Sequence, residues 1–115
     1  MDLQALRELA ADLPDFNVNV AAIETQSAVA YLRYYDIDFA EHYPDLKHRL
    51  ATIQSGSYRL CLHCWEQPSA QKTLLLVHGY LDHVGLFGQL IRCGLDRGYN
   101  VVAFDLPGHG LSSGE

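Results

Sequence analysis

Between Lys72 and Glu115 the hydrophobic period changes twice, and that change leaves few folds open. Thr73 to Val77 is a short, nearly all-apolar run, the pattern of a strand buried on both faces of a parallel sheet. His78-Gly79 stops it. From Val84 onward the apolar residues Val84, Phe87, Leu90, Ile91 and Leu95 recur three and four apart, so they share one face of a helix. Arg97 falls in the last turn and Gly98 just past it, a usual helix ending. Asn100 to Phe104 is a second apolar run with two β-branched valines, and it runs into Asp105-Leu106-Pro107-Gly108-His109-Gly110. Strand, helix and strand in this order make a βαβ unit, whose strands are parallel and whose crossover is right-handed. In open α/β sheets ligands bind beyond the carboxyl ends of the strands. Both glycine loops fall at that edge.

The preceding residues read differently. Leu3, Leu6, Leu9, Ala10 and Leu13 lie at roughly helical spacing, with Asp2 placed to cap the helix and Pro14 to end it. Asn17 to Val20 alternates, as either a short strand or a linker. Thr25 is placed to cap a second helix, along which Ala28, Tyr31, Leu32, Tyr35 and Phe39 form a stripe. His42-Tyr43-Pro44 closes this region. Aromatic stripes at helical spacing face a core, so these tyrosines read as packing residues rather than as a binding platform. Residues 50–67 read as a hairpin turning at Ser55-Gly56. Past the turn, Tyr58, Leu60, Leu62 and Cys64 point one way and Arg59, Cys61, His63 and Trp65 the other. Two units are expected: a helical extension over residues 1–49, and an α/β unit over 50–115 built as a hairpin followed by βαβ. A sheet of only these strands leaves apolar faces uncovered. The sequence is therefore expected to be the front portion of a larger protein.

Composition narrows the function. Of the net charge of −6, residues 1–50 carry −5, from four Lys/Arg against nine Asp/Glu, and residues 51–115 carry −1. No basic patch forms, so nucleic acid is not an expected partner. No apolar run reaches the length of a membrane span, and the acidic N-terminus lacks the basic start of a secretory signal. Three cysteines are an odd count, which suits a reducing cytoplasm better than a disulfide framework.

Two loops carry the chemistry. His78-Gly79-Tyr80-Leu81-Asp82-His83 follows one strand, and Asp105-Leu106-Pro107-Gly108-His109-Gly110-Leu111-Ser112 follows the next. Together, at this spacing and with a helix between them, they resemble the α/β-hydrolase superfamily. The form His-Gly-x-x-Asp/Glu-His followed by Val-Gly-Leu-Phe is most similar to the monoacylglycerol lipase and lysophospholipase branch. The resemblance covers roughly residues 50–115. It implies that the first loop forms half of an oxyanion hole. Acyl transfer puts negative charge on a former carbonyl oxygen, and preorganised backbone N–H groups stabilise it. By resemblance the Tyr80 N–H is the donor, Gly79 allows close approach, and Leu81 is the adjacent possibility. His78, Asp105, Gly108, Gly110 and Ser112 are implied as supports of the active-site loops.

Three lookalikes are set aside. Gly110-Leu111-Ser112-Ser113-Gly114 fits Gly-x-Ser-x-Gly, the nucleophile elbow. That motif requires a strand running straight into it, and here Pro107 and further loop residues intervene. Ser112 therefore reads as a bracing hydroxyl. His78, Asp105 and Ser112 mimic a triad order, but order says nothing of geometry. Cys61-Leu62-His63-Cys64 hints at zinc, yet in a strand the two cysteines face opposite sides. Cys93, on the polar side of its helix, reads as inert. Asp82 and His83 read as caps of the coming helix rather than as a gate.

In the hydrolase order of Ser, then Asp or Glu, then His, all three catalytic residues are expected beyond residue 115, so residues 1–115 alone are expected to be inactive. The resemblance implies a serine hydrolase acting on a small-molecule ester or lipid, with no metal, no organic cofactor and no integral membrane association. The alternative is a non-catalytic interaction module derived from half a hydrolase, with the acidic residues 1–50 as its surface.

Overall fold

The computed structural model describes residues 3–17, 25–39, 42–43 and 45–114. Asp2, Val18 to Val20 and Pro44, to which the sequence assigns a cap, a strand or linker and a closing turn, lie outside them. Helix α1 is Leu3–Asp12 and helix α2 is Gln26–Tyr34. Strand β1, Lys47–Ser55, and strand β2, Tyr58–Glu66, form the hairpin; β3 is Thr73–Val77, α3 is Gly88–Asp96 and β4 is Asn100–Phe104. The hairpin begins three residues earlier than the apolar pattern indicates. Its loop is Gly56-Ser57, and Gly56 at φ +59° supplies the left-handed corner of a two-residue turn.

The sheet order is β1-β2-β4-β3. β1 and β2 are antiparallel, as are β2 and β4, whereas β3 and β4 run parallel with Val77 beside Phe104. The register sets His48, Leu50 and Thr52 of β1, Cys61, His63 and Trp65 of β2, Val101 and Ala103 of β4, and Leu74 and Leu76 of β3 on one face. One buried cluster joins that face to Leu9 and Leu13, to Tyr31 and Leu32 of α2, and to Ile91 and Leu95 of α3. Residues before 50 thus contribute to the same core as the sheet.

Local chemistry fixes the helix ends. Thr25 Oγ1 accepts the Ala28 N–H at 3.4 Å, the N-cap expected from the sequence. Both α2 and α3 end in a Schellman motif. At α3 the Tyr99 N–H reaches the Gly94 carbonyl and the Gly98 N–H reaches Leu95, with Gly98 at φ +78°. At α2 the left-handed position falls to Asp36 instead, and Phe39 lies past the helix end.

Two expectations are corrected. β3 is not buried on both faces: Leu75 and Val77 are 60% and 56% exposed, because among the described residues the helices cover only the opposite face and β3 is an edge strand. The single helix expected from Val84 is broken into a 3-10 turn, Val84–Leu86, and α3. Phe87, at φ −101°, joins them, and the change of helical period turns Leu90 outward.

Candidate active site

β3 and β4 are parallel neighbours, so the loops that leave their carboxyl ends lie side by side. His78 is buried at the start of the first loop. Its Nε2 accepts the Leu106 N–H of the second loop at 2.9 Å. An N–H can only donate, so the ring proton sits on Nδ1, which donates to the Gly79 carbonyl at 2.8 Å. His109 repeats the arrangement in reverse. Its Nε2 accepts the Leu81 N–H of the first loop at 3.2 Å, and its Nδ1 donates to the Pro107 carbonyl at 2.9 Å. Each loop thus lends the other one histidine, and the two rings lie 5.0 Å apart.

This crosswise stapling separates the two oxyanion candidates. Leu81's N–H is occupied by His109, whereas among the described residues the Tyr80 N–H has no hydrogen-bond partner. Both side chains are at least 80% exposed, so the loop crest faces outward. The Asp82 N–H bonds the Gly79 carbonyl at 3.2 Å and closes a turn that puts Leu81 at φ +64°. That conformation costs a non-glycine residue about 1 kcal/mol or more, and strain of this kind collects at working loops.

Asp105 anchors the second loop. It is wholly buried; Oδ1 accepts the Val84 N–H at 2.9 Å and Oδ2 the Leu111 N–H at 3.0 Å. One carboxylate therefore holds the start of the 3-10 turn and the far side of the glycine loop. Gly110, at φ +51°, passes so close that a methyl there would fall on the carboxylate, with Oδ1 at 2.7 Å and Oδ2 nearer still. Gly108, at φ +75°, makes the companion bend, and its N–H reaches the Ser113 carbonyl at 2.8 Å.

Ser112 is tied on both sides. Its hydroxyl donates to the Asp105 carbonyl at 2.6 Å and accepts the Cys61 N–H at 2.7 Å. Ser113 continues the contact along β2, accepting the Arg59 N–H at 2.7 Å. The loop is laced to the hairpin, and neither serine stands on a strand-to-helix turn. Among the candidate caps, His83 holds the place: its Nδ1 accepts the Gly85 N–H at 3.1 Å, while Asp82 accepts the adjacent His83 N–H at 2.9 Å. Burial lowers the pKa of His83, partly opposed by Asp105 and Asp82.

Cys61 and Cys64 are buried on opposite faces of β2, and Cys93 is exposed. Burial, with Asp105 second, pushes the Cys61 thiol well up; burial raises Cys64 to about 11. A groove of about 610 Å³ runs between the end of α2 and the start of α3, lined by Tyr34, Tyr35, Phe39, Phe87 and Arg92 among others. Neither Tyr80 nor Asp105 lines it. The sequence reading missed His109, whose place two residues past Pro107 in a loop gave no sign that its ring would reach the other loop.

The chain is similar to known proteins over part of its length. Residues 68–115 match the family model described as serine aminopeptidase, S33. An (R)-3-hydroxydecanoyl-ACP:CoA transacylase of Pseudomonas aeruginosa is 39% identical over 57 residues, which are 50% of this chain and 19% of that protein. A serine hydrolase-like protein of Danio rerio is 44% identical over 46 residues, 40% of this chain and 14% of that one. The chain thus matches no more than about a fifth of the length of these curated relatives. Among solved structures, a thioesterase domain from the curacin biosynthetic pathway superposes with a TM-score of 0.52 at 31% identity, over 59% of this chain and 24% of that one. No described helix is long and apolar enough to cross a membrane. With its mixed sheet, its paired glycine loops and these likenesses, the chain has the fold of the N-terminal part of an α/β-hydrolase.

Proposed function

We propose that this chain supplies the oxyanion arm of a serine hydrolase that cleaves carboxylic esters of lipid or other acyl substrates, near the monoacylglycerol lipase and lysophospholipase branch. The observation that carries the reading is the unpartnered Tyr80 N–H, set at the carboxyl edge of β3 in a loop stapled on both sides by His78 and His109. A preorganised donor of this kind pays no reorganisation cost when charge develops on the carbonyl oxygen. Gly79 leaves the approach open, since a side chain there would meet nothing within 4 Å. The Asp105 loop, with Gly108, Gly110 and Ser112, holds the neighbouring wall. The nucleophilic serine, its histidine base and the orienting acid belong to sequence beyond residue 115, in the order serine, acid, histidine. No cofactor enters this chemistry, and its setting is cytoplasmic.

A thioester in place of the ester is the second reading. The similar proteins named for a reaction include a thioesterase domain and an ACP:CoA transacylase, both acting on thioester-bound acyl groups. The oxyanion chemistry is the same for both.

The test is made on the polypeptide that carries this sequence in its native source. It is treated with a fluorophosphonate probe and digested, and its intact mass is measured. A labelled serine in a Gly-x-Ser-x-Gly peptide beyond Glu115 is expected, and release from acyl-glycerol against acyl-CoA substrates then separates the two readings. An intact mass of 12.9 kDa with no labelled serine refutes the enzyme and leaves an interaction module. Turnover of a nitrophenyl ester by residues 1–115 that survives Ser112→Ala and Tyr80→Pro refutes the mechanism.

A further inference from the structure

The alternation that parts Cys61 from Cys64 puts Cys61 and His63 on the same face of β2. The ladder then brings a third donor. Asp105 follows the last residue of β4, and its N–H bonds the Cys61 carbonyl at 3.0 Å, so it stands directly across from Cys61. One ligand atom from each of Cys61, His63 and Asp105 lies within 4.8 Å of the others, and all three residues are buried.

Two further observations point to something these groups lack. His63 Nε2 and the Tyr31 hydroxyl are buried with no hydrogen-bond partner among the described residues. Buried polar groups are nearly always paired, so these two acceptors need an explanation; the third orphan beside them, Trp65 Nε1, can only donate and is no ligand. Tyr31 belongs to the same cluster, its ring stacked 6.2 Å from His63. In addition, the Asp105 carboxylate is held by two neutral N–H groups, and among the described residues it forms no ion pair. An anion buried beside a thiol, a free imidazole nitrogen and a phenol is an environment short of one cation.

We propose that Cys61 Sγ, His63 Nε2 and the Asp105 carboxylate form a buried site for a single thiophilic divalent cation of the zinc type, with the Tyr31 hydroxyl as its fourth neighbour. Thiolate, imidazole and carboxylate are the donors zinc takes, and one thiolate with one carboxylate balances its charge. Zinc bonds of about 2.0–2.3 Å put tetrahedral ligands about 3.5 Å apart, so binding draws the three side chains inward by up to about 1 Å. His48 serves as the outer partner. Its Nε2 lies 3.1 Å from His63 Nδ1 and accepts that N–H, which leaves the His63 Nε2 lone pair for the ion. The thiol loses its proton to solvent as the metal–sulfur bond forms, with no change of oxidation state. The site lies under the candidate active loop and would stiffen it through Asp105; it takes no part in acyl transfer.

The test uses the full chain stripped by a chelator and titrated with Zn2+ by calorimetry and with Co2+ by absorption. One ion per chain is expected, with a thiolate-to-cobalt charge-transfer band, about one proton released per ion, and a higher unfolding midpoint with zinc. Cys61→Ser and His63→Gln each weaken binding by about tenfold or more; Cys64→Ser and Cys93→Ser do not. His48→Gln, which leaves every ligand in place, weakens binding about tenfold and serves if either ligand variant fails to fold. The absence of a charge-transfer band and of any midpoint shift overturns the site. So does a band that follows Cys64 or Cys93, or one unchanged in Cys61→Ser.

Discussion

Gly110 and Gly98 share a backbone conformation and differ in what lies beside them, which makes them a controlled pair. Both have φ in the left-handed region, +51° and +78°. At Gly98 an added methyl meets nothing within 4 Å; at Gly110 it falls on the buried carboxylate of Asp105. Gly98→Ala should therefore cost only the left-handed penalty, about 1 kcal/mol. Gly110→Ala carries the same penalty and also displaces the carboxylate, which frees the N–H groups of Val84 and Leu111 in a buried place. Each orphaned donor costs about 1–3 kcal/mol, so with the left-handed penalty the total is about 3–7 kcal/mol. That is a large share of the roughly 5–15 kcal/mol that holds a small domain together. Equilibrium unfolding in urea measures both variants, with the slopes compared to confirm that the unfolded states match. In an Asp105→Ala background the carboxylate is gone, and Gly110→Ala should fall back to about 1 kcal/mol. Equal losses for Gly98→Ala and Gly110→Ala, or additive losses in the double variant, would refute the claim that Gly110 is a glycine because of Asp105.

Other perturbations probe other contacts. Ser112→Ala strands the Cys61 N–H and should lower stability by about 1–3 kcal/mol in urea unfolding, with fluorophosphonate labelling of the native-source polypeptide unchanged; loss of labelling would make Ser112 the nucleophile. Leu74→Ala opens the contact with Gly94 and should cost about 2 kcal/mol, against about 0.5 kcal/mol or less for the outward-facing Leu75→Ala, read in the same assay. His83 caps the 3-10 turn only through an unprotonated Nδ1, and burial lowers its pKa in the folded chain. Its contribution is present above the ordinary histidine value of about 6.5 and is lost as pH falls through the folded value. The melting temperature of His83→Asn, which caps without titrating, should therefore fall less between pH 7.5 and 5 than that of the unaltered chain, and equal slopes would dismiss the cap.

The βαβ unit was legible because its signals are local. A five-residue apolar run, a glycine stop and a change of period to 3.6 each depend on neighbours in sequence, and Gly98 ends α3 where the pattern puts it. What the pattern lacked was the outside of the sheet. The run Thr73–Val77 is apolar on both faces, yet only Leu74 and Leu76 pack against the core, since burial of Leu75 and Val77 depends on elements that no window of five residues contains. The break at Phe87 was hidden for a related reason. Asp105, twenty-one residues beyond Val84, takes the Val84 N–H and starts the turn there, and a carboxylate arriving from the next strand leaves no trace in the helical period. His109 shows the same limit, because its role lies in a crossing of two loops that are adjacent only after the strands pair.

The first fifty residues, silent in the motif comparison, acquire a place through the aromatic stripe of α2. Tyr31 stacks against His63 and Tyr35 meets His83 edge to face, with ring centres 4.7 Å apart. His83 closes the loop that carries Tyr80, and His63 stands among the groups beneath Asp105. Two tyrosines one turn apart at the end of α2 therefore bear on His83 of the first candidate loop and on His63 of β2, beneath Asp105. Arg59 completes the tie, since its guanidinium donates to the Leu13 carbonyl at 2.6 Å while its backbone holds Ser113. Helices α1 and α2 are thus packed into the support of the two candidate loops, so a deletion of residues 1–46 should loosen those loops.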